Sequence, residues 1–369
     1  MGEAIVVKRG SGVVTITFED YKVYGDTVTR TTPAALSTAR DSLAGASVGN
    51  YALFAGGYTG SVSAVVDAYD TDLTRSTPTS LSTARRYLIG ASMDTHALFA
   101  GGSTGSPTSA LKVVDAYDTD LTRSTPTALS TTTNRSAGVS FRTYALFGGG
   151  YAGSGPTDVV DAYDTDLTRS TPTTLSVARD SLAGASVGNY ALFAGGWISS
   201  ASNVVDAYNI NLTRSTPTAL SAARHTLAGA SVGNYALFAG GCTVSAVVDA
   251  YDTDLTRSTP TSLSTARRYL IGASMDTHAL FAGGSTGSPT SALKVVDAYD
   301  TDLTRSTPTA LSAARHLLAG ASVGDYALFA GGDTGSAYSA VVDAYTNVVV
   351  LPTYLPITAG SKYKLNSTT

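Results

Sequence analysis

Charge is scarce in this chain. Only 14% of its 369 residues are charged and the formal net charge is -4, whereas an average soluble domain carries about 25% charged residues. Ser, Thr, Ala and Gly fill the difference, so solubility rests on hydroxyl groups. The shortage of clustered Lys and Arg excludes the basic footprint of a nucleic-acid surface. Cysteine occurs once, at Cys242, which excludes an intrachain disulfide and leaves the redox compartment open. Nothing in the chain approaches the roughly 18 consecutive apolar residues of a membrane helix. The opening MGEAIVVKRG also lacks the apolar run of a signal peptide, so a soluble chain without membrane insertion is expected.

Catalytic signatures are equally thin. The histidines are His96, His225, His278 and His316; they fall at two different repeat positions and give no metal-ligand spacing. No GxSxG elbow or paired-carboxylate motif stands out. No catalytic residue, metal or cofactor is expected.

What the chain does have is repetition. ALFAGG begins at Ala52 and recurs, with one change, at Ala97, Ala145, Ala191, Ala236, Ala279 and Ala327, 43 to 48 residues apart. A fixed period of this size marks one supersecondary unit repeated in a single architecture. A second element, Thr-Arg-Ser/Thr-Thr-Pro, carries Arg30, Arg75, Arg123, Arg169, Arg214, Arg257 and Arg305. It precedes the first ALFAGG and is missing after the last VVDAY, at Val341 to Tyr345, so the two series are offset by one element.

Each unit reads as four short strands. LAGAS, Leu43 to Ser47, has small side chains and a glycine that recurs as Gly45, Gly90, Gly138, Gly184, Gly229, Gly272 and Gly320; small residues let strands converge on an axis. Gly49-Asn50 is expected to supply the positive φ angles of a two-residue hairpin. YALFAGG follows, apolar throughout as a strand packed on both faces must be. AVVDAY, Ala64 to Tyr69, is the third strand. TRSTPTSL is the fourth, and Pro78 within it places that strand at the sheet edge, where no N–H must join a ladder. The expectation is an all-β, seven-bladed β-propeller of four-stranded antiparallel blades. The offset predicts that residues 13–36 supply the outer strand, or strands, of the last blade, so that strands from both ends of the chain close the ring. Residues 1–12 read as a leader, 13–345 as the propeller and 346–369 as an exit segment.

The Gly-Gly closing an apolar strand, the next strand ending in tyrosine, the proline-bearing edge strand and the arginine after it resemble the kelch repeat of β-propellers. The usual tryptophan of that repeat is replaced here by Ser76, Ser124, Ser170, Ser215, Ser258 and Ser306, which points to a divergent bacterial or phage branch. The resemblance implies that Arg40, Arg85, Arg135, Arg179, Arg224, Arg267 and Arg315 form a structural ring, bonding backbone carbonyls and holding adjacent blades. An anion above such a ring is the alternative. Asp67, Asp115, Asp161, Asp206, Asp249, Asp297 and Asp343 are expected within cross-strand reach of the edge-strand arginines. Kelch-like propellers include copper oxidases and sugar-acid epimerases, which leaves an enzyme as a third possibility; Cys242 alone makes a weak copper-radical site.

Comparing the copies with one another locates the variation. Residues 62–130 and 244–312 are the same 69-residue text, four units apart, so units were copied whole, which argues against one asymmetric active site. The DTDLT and SVGNY turns barely change. On the opposite face, the residue after each Gly-Gly is Tyr58, Ser103, Tyr151, Trp197, Cys242, Ser285 or Asp333. The residue after each Ala-Arg is Asp41, Arg86, Asp180, His225, Arg268 or His316, with Tyr87 and Tyr269 beside the two arginines. Aromatics interleaved with Arg and His suit a recognition surface; drift in unconstrained loops gives the same pattern. The ligand-binding candidates are Tyr58, Tyr151, Trp197, Asp333, Arg86, Tyr87, His225, Arg268, Tyr269 and His316. The expected protein is a monomeric, non-enzymatic module binding a protein or glycan, on an extracellular, cell-surface or virion-associated appendage. A structural spacer without a ligand is the runner-up.

Overall fold

The computed structural model describes strands Ile5–Arg9 and Gly12–Ile16 and residues 26–349, apart from 107 and 288–290. The first two strands pair with each other in a two-stranded antiparallel sheet of their own. The remaining described strands form seven four-stranded antiparallel sheets, within a compact unit running Val28–Thr346. In six of them the four strands follow chain order, as in Ala44–Val48, Tyr51–Ala55, Val66–Tyr69 and Arg75–Ser76. This is an all-β, seven-bladed β-propeller. In the seventh sheet, Ala319–Val323, Tyr326–Ala330 and Val342–Val349 take Asp26–Thr31 as their outer strand. The ring is therefore closed by strands from both ends of the chain. The seam is held by Arg30, which donates to the Ala310 carbonyl at 2.7 Å, and by the Leu36 N–H on the Ala340 carbonyl at 2.8 Å. Val28 is buried in the same core cluster as Leu311 and Leu318.

The inner strand alternates with period two. Ala44, Ala46 and Val48 are buried between blades, while Gly45 and Ser47 are only half-buried and line a central cavity of about 1010 Å³ together with their counterparts in the other blades. The glycine is there for space. A Cβ placed on any of the seven would lie 2.0 to 2.6 Å from the glycine carbonyl oxygen of the preceding blade, well inside contact distance. The serines stitch the same strands together: the Ser47 N–H donates to Ser92 Oγ at 2.8 Å, and the Ser47 hydroxyl to the Ser322 carbonyl at 2.5 Å.

The second and third strands form the blade core. Phe54 meets Tyr69 edge-on at 6.0 Å, and the same pair recurs in every blade. Each phenol donates to a carbonyl of the previous blade, Tyr69 to Ala34 at 2.8 Å and Tyr117 to Thr79 at 2.7 Å. Burying Phe54 completely contributes about 1.5–3 kcal/mol, and the motif repeats that anchor seven times.

Two local expectations need correcting. The fourth strand is much shorter than TRSTPTSL: in six blades only two residues, such as Arg75–Ser76, are laddered, and Pro78 lies beyond them because it has no N–H to extend the ladder. In the Gly49-Asn50 turn, Gly49 alone of the two takes positive φ, at 50°.

Two outcomes follow. Deleting residues 1–36 strips the seventh blade of its outer strand and should leave an aggregating or unfolded product, read by size-exclusion chromatography and thermal melting. Gly90→Ala, whose Cβ would sit 2.0 Å from the Gly45 carbonyl oxygen, should lower stability by at least about 2 kcal/mol in denaturant titration.

Candidate functional site

The linker entering six of the seven blades brings in a buried arginine. Arg40, Arg85, Arg179, Arg224, Arg267 and Arg315 are almost wholly excluded from solvent. Each pairs with the aspartate of the third strand, Arg40 with Asp67 at 2.8 Å and Arg85 with Asp115 at 2.8 Å. Arg40 also donates to the Phe54 carbonyl at 3.0 Å, and the Gly332 N–H of the neighbouring blade reaches the Arg40 carbonyl at 2.9 Å. The aspartate holds the edge-strand arginine as well, Arg75 at 2.9 Å, and accepts the Ser37 N–H at 3.0 Å. Carbonyl bonding and blade docking are thus present, but the main counter-charge is a buried carboxylate. Breaking such a pair costs about 3–5 kcal/mol, because a charge is left buried alone.

Arg135 is not in this ring. Counting back from the axial Gly138, as Arg40 is counted from Gly45, leads to Thr133, whose hydroxyl donates to the Gly149 carbonyl at 3.0 Å. Asn134 occupies the next position and Arg135 the one after, exposed. Asp161 consequently lacks the buried arginine partner; Ser130 and a distant Arg169, at 3.7 Å, stand in. Burial pushes its pKa up, against the hydrogen bonds from Ser130.

The two variable positions read from the sequence are one set of pairs. Asp41 bridges Tyr58, Arg86 bridges Ser103, Asn134 bridges Tyr151, Asp180 bridges Trp197, Arg268 bridges Ser285 and His316 bridges Asp333, all antiparallel. Cys242 donates its N–H to the His225 carbonyl at 2.8 Å. The connection after the second strand and the connection between blades therefore meet on one face. His96 and His278 open second strands from the other face.

The residue after each pair builds a rim. Ser42, Tyr87, Arg135, Ser181, Thr226, Tyr269 and Leu317 all have φ between 52° and 55°. The N–H of each donates to the carbonyl of its counterpart in the preceding blade, at 2.8 to 3.3 Å, and Ser42 to Leu317 completes the circle. Left-handed backbone at a non-glycine residue costs on the order of 1 kcal/mol; here it recurs seven times to close a ring of hydrogen bonds. None of these seven positions is a glycine, so composition alone does not reveal the turn.

Inside the rim is a cup of about 610 Å³ that brings together Tyr87, Tyr151, Trp197, His225 and Tyr269 with Arg135 and Asp180. Trp197 is 39% exposed and meets His225 edge-on at 4.9 Å. Burial pushes the His225 pKa down, against the pull of Asp180 and with the help of Arg268. The other candidates flank the cup. Arg86 lies 4.5 Å over the Tyr58 ring and 5.0 Å over Tyr87, and donates to the Gly105 carbonyl at 2.9 Å. Arg268 lies 5.2 Å over Tyr269 and donates to the Gly287 carbonyl at 2.7 Å. His316 is buried, 6.3 Å from the Tyr269 ring. Asp333 accepts the Gly335 N–H at 2.6 Å. Tyr338, an exposed ring stacked edge-on against Tyr58 at 5.7 Å, was not among the sequence candidates, and Arg135 was expected in the structural ring rather than at the binding face. Register counted from Gly138 would have found Arg135; Tyr338 sits in a loop without a repeated counterpart.

Asp41 is buried at the seam of the first and last blades, and its Oδ1 has no hydrogen-bond partner. Burial, and secondarily the like charge of Asp333, push its pKa up to about 6, against Ser42 and Arg86. Among the described residues no group of three or more His, Cys, Asp or Glu is arranged to hold a metal ion.

No protein-family model matches the chain, and no curated protein matches it in sequence. A solved structure titled "Structure of YjhT" superposes with a TM-score of 0.59 over 75% of this chain and 99% of that one, at 12% identity. That likeness concerns the fold alone.

The folded state holds the Asp41 proton more tightly than the unfolded chain does. Ionisation therefore penalises folding, not at all below about pH 4 and fully above about pH 6. Asp41→Asn should stabilise the protein by up to about 3 kcal/mol at pH 8, and the gain should vanish near pH 4 in parallel denaturant titrations.

Proposed function

We propose that this propeller is a non-enzymatic binding module of kelch-like type, which recognises a protein or glycan through its variable face and is displayed on a bacterial or phage surface appendage. The observation that carries this reading is the contrast between repeats. The buried arginine, the axial glycine and the Phe–Tyr pair hardly change from blade to blade. The paired positions around the mouth differ in nearly every blade, and they present tryptophan, tyrosine, histidine and arginine at a cup within the about 300–1,000 Å³ typical of ligand sites.

The kelch kinship is supported by the roles its residues take. The Gly-Gly adopts positive φ, 66° and 108° at Gly56 and Gly57, the tyrosine reaches the previous blade, and in six of the seven blades the arginine carbonyl accepts an N–H from the Gly-Gly of the blade before it. The copied blades support the surface setting, since a uniform scaffold lets mouth residues be exchanged without disturbing the core.

A glycan array and a pull-down on candidate host cells test the proposal. Binding is expected for the parent protein. Tyr58→Ala, Tyr151→Ala and Trp197→Ala should each weaken it by about tenfold or more, the loss of a typical aromatic anchor, with an unchanged melting curve for Trp197→Ala. Absence of any binding, or binding indifferent to all three changes, would favour a spacer. A stoichiometric metal in elemental analysis would revive an enzyme.

A further inference from the structure

The arginines of this protein divide sharply. All those of the buried ring and the edge strands have a carboxylate within 4.0 Å. Four other arginines whose side chains are described do not. One, Arg142, donates to Asn189 at 2.5 Å. The other three, Arg86, Arg135 and Arg268, all stand at the mouth. Each lies over a tyrosine ring, with Arg135 5.4 Å over Tyr87, and that spreads the guanidinium flat beside an aromatic face without neutralising it. The nearby carboxylates are withdrawn: Asp41 and Asp180 are buried, and Asp180 accepts the Ser181 hydroxyl at 2.6 Å. Asp333 is half-buried and engaged by the Gly335 N–H.

In a chain with a net charge of -4, Arg135 lies in the cup with Tyr151, Trp197 and Tyr269, while Arg86, over Tyr58 and Tyr87, and Arg268, over Tyr269, flank it. Aromatic faces stack on sugar rings, and guanidinium groups take carboxylate or sulfate in a forked geometry. The Arg-Tyr pairs of residues 86–87 and 268–269 belong to the duplicated text and sit four blades apart on the ring, so the same contact is offered twice across the mouth. A repeating polyanion can use both at once, with the gain that two linked contacts bring.

We propose, resting on the binding-face reading above, that the mouth takes an acidic polysaccharide, with its anionic groups on Arg86, Arg135 and Arg268 and its sugar rings against the intervening aromatics.

The test is calorimetric titration with polygalacturonate, its methyl ester, heparin and polyglutamate. Expected is binding of polygalacturonate or heparin that weakens with salt and falls about tenfold or more in Arg135→Gln, the equivalent of one lost charge-assisted contact. The methyl ester should bind correspondingly less. Arg86→Gln with Arg268→Gln should lose more than either alone, and Lys at both positions should restore part of it. Melting curves identify any variant whose loop or fold has failed. Equal affinity for the acid and its ester would overturn the anionic part while leaving the binding face standing. Polyglutamate bound as tightly as the polysaccharides would overturn the saccharide part. A parent protein that ignores every polyanion but binds a neutral glycan would also overturn the inference alone. A parent protein that binds nothing in any assay would bring down both readings.

Discussion

Seven inner strands converge at the axis of this molecule, and the rest of the structure depends on how closely they approach. They meet so tightly that the carbonyl of one axial glycine occupies the space where the Cβ of the next would be. This is a steric requirement rather than a conformational one, since these glycines do not need positive φ. It explains why the inner strand is built of Ala, Gly and Ser. It also explains why the larger apolar residues, Phe54 and Tyr69 and their counterparts, stand in the second and third strands, where the blades have diverged enough to hold them.

Farther from the axis each entering linker is tied to its own blade by charge. A buried aspartate between two arginines is costly to desolvate, and an apolar substitute could be as stable. What the pair adds is direction: in six blades the arginine of the entering linker reaches one carboxylate and one second-strand carbonyl of that blade, which fixes where the linker lies. The third blade shows the alternative. With Thr133 in place of the arginine, the remaining groups around Asp161 close up through Ser130, and the blade keeps its strands and its place in the ring.

Uniformity below and variety above belong together. Because the axial, core and docking contacts are satisfied alike in nearly every blade, residues beyond the Gly-Gly differ from blade to blade without disturbing them. They collect around a rim whose backbone is fixed by its own circle of hydrogen bonds. A rigid rim with interchangeable side chains suits recognition, since the ordering cost is met by folding rather than by binding. The three mouth arginines without a carboxylate within reach, Arg86, Arg135 and Arg268, then give that mouth its chemical character.

The blade count, the four strands of each blade and the closure of the ring were legible in the sequence, because each rests on a repeated local pattern: ALFAGG for the core strand, proline for the edge, and the offset between two series for the seam. The variable face was legible too, since identical copies make the differing positions visible. What one chain read end to end could not show is what depends on neighbours. In six blades the outer strand is two residues because it lies between the turn closed by the Asp70 N–H on the Thr74 carbonyl, or its counterpart, and the proline that follows. Arg135 is a mouth residue because the axial glycine sets the register of the blade, and not the nearest Asn-Arg. The rim of left-handed residues exists because seven N–H groups meet seven carbonyls across blade boundaries, a condition that no single repeat contains. Local pattern determined which strands form and in what order; convergence on the axis decided which side chains face one another.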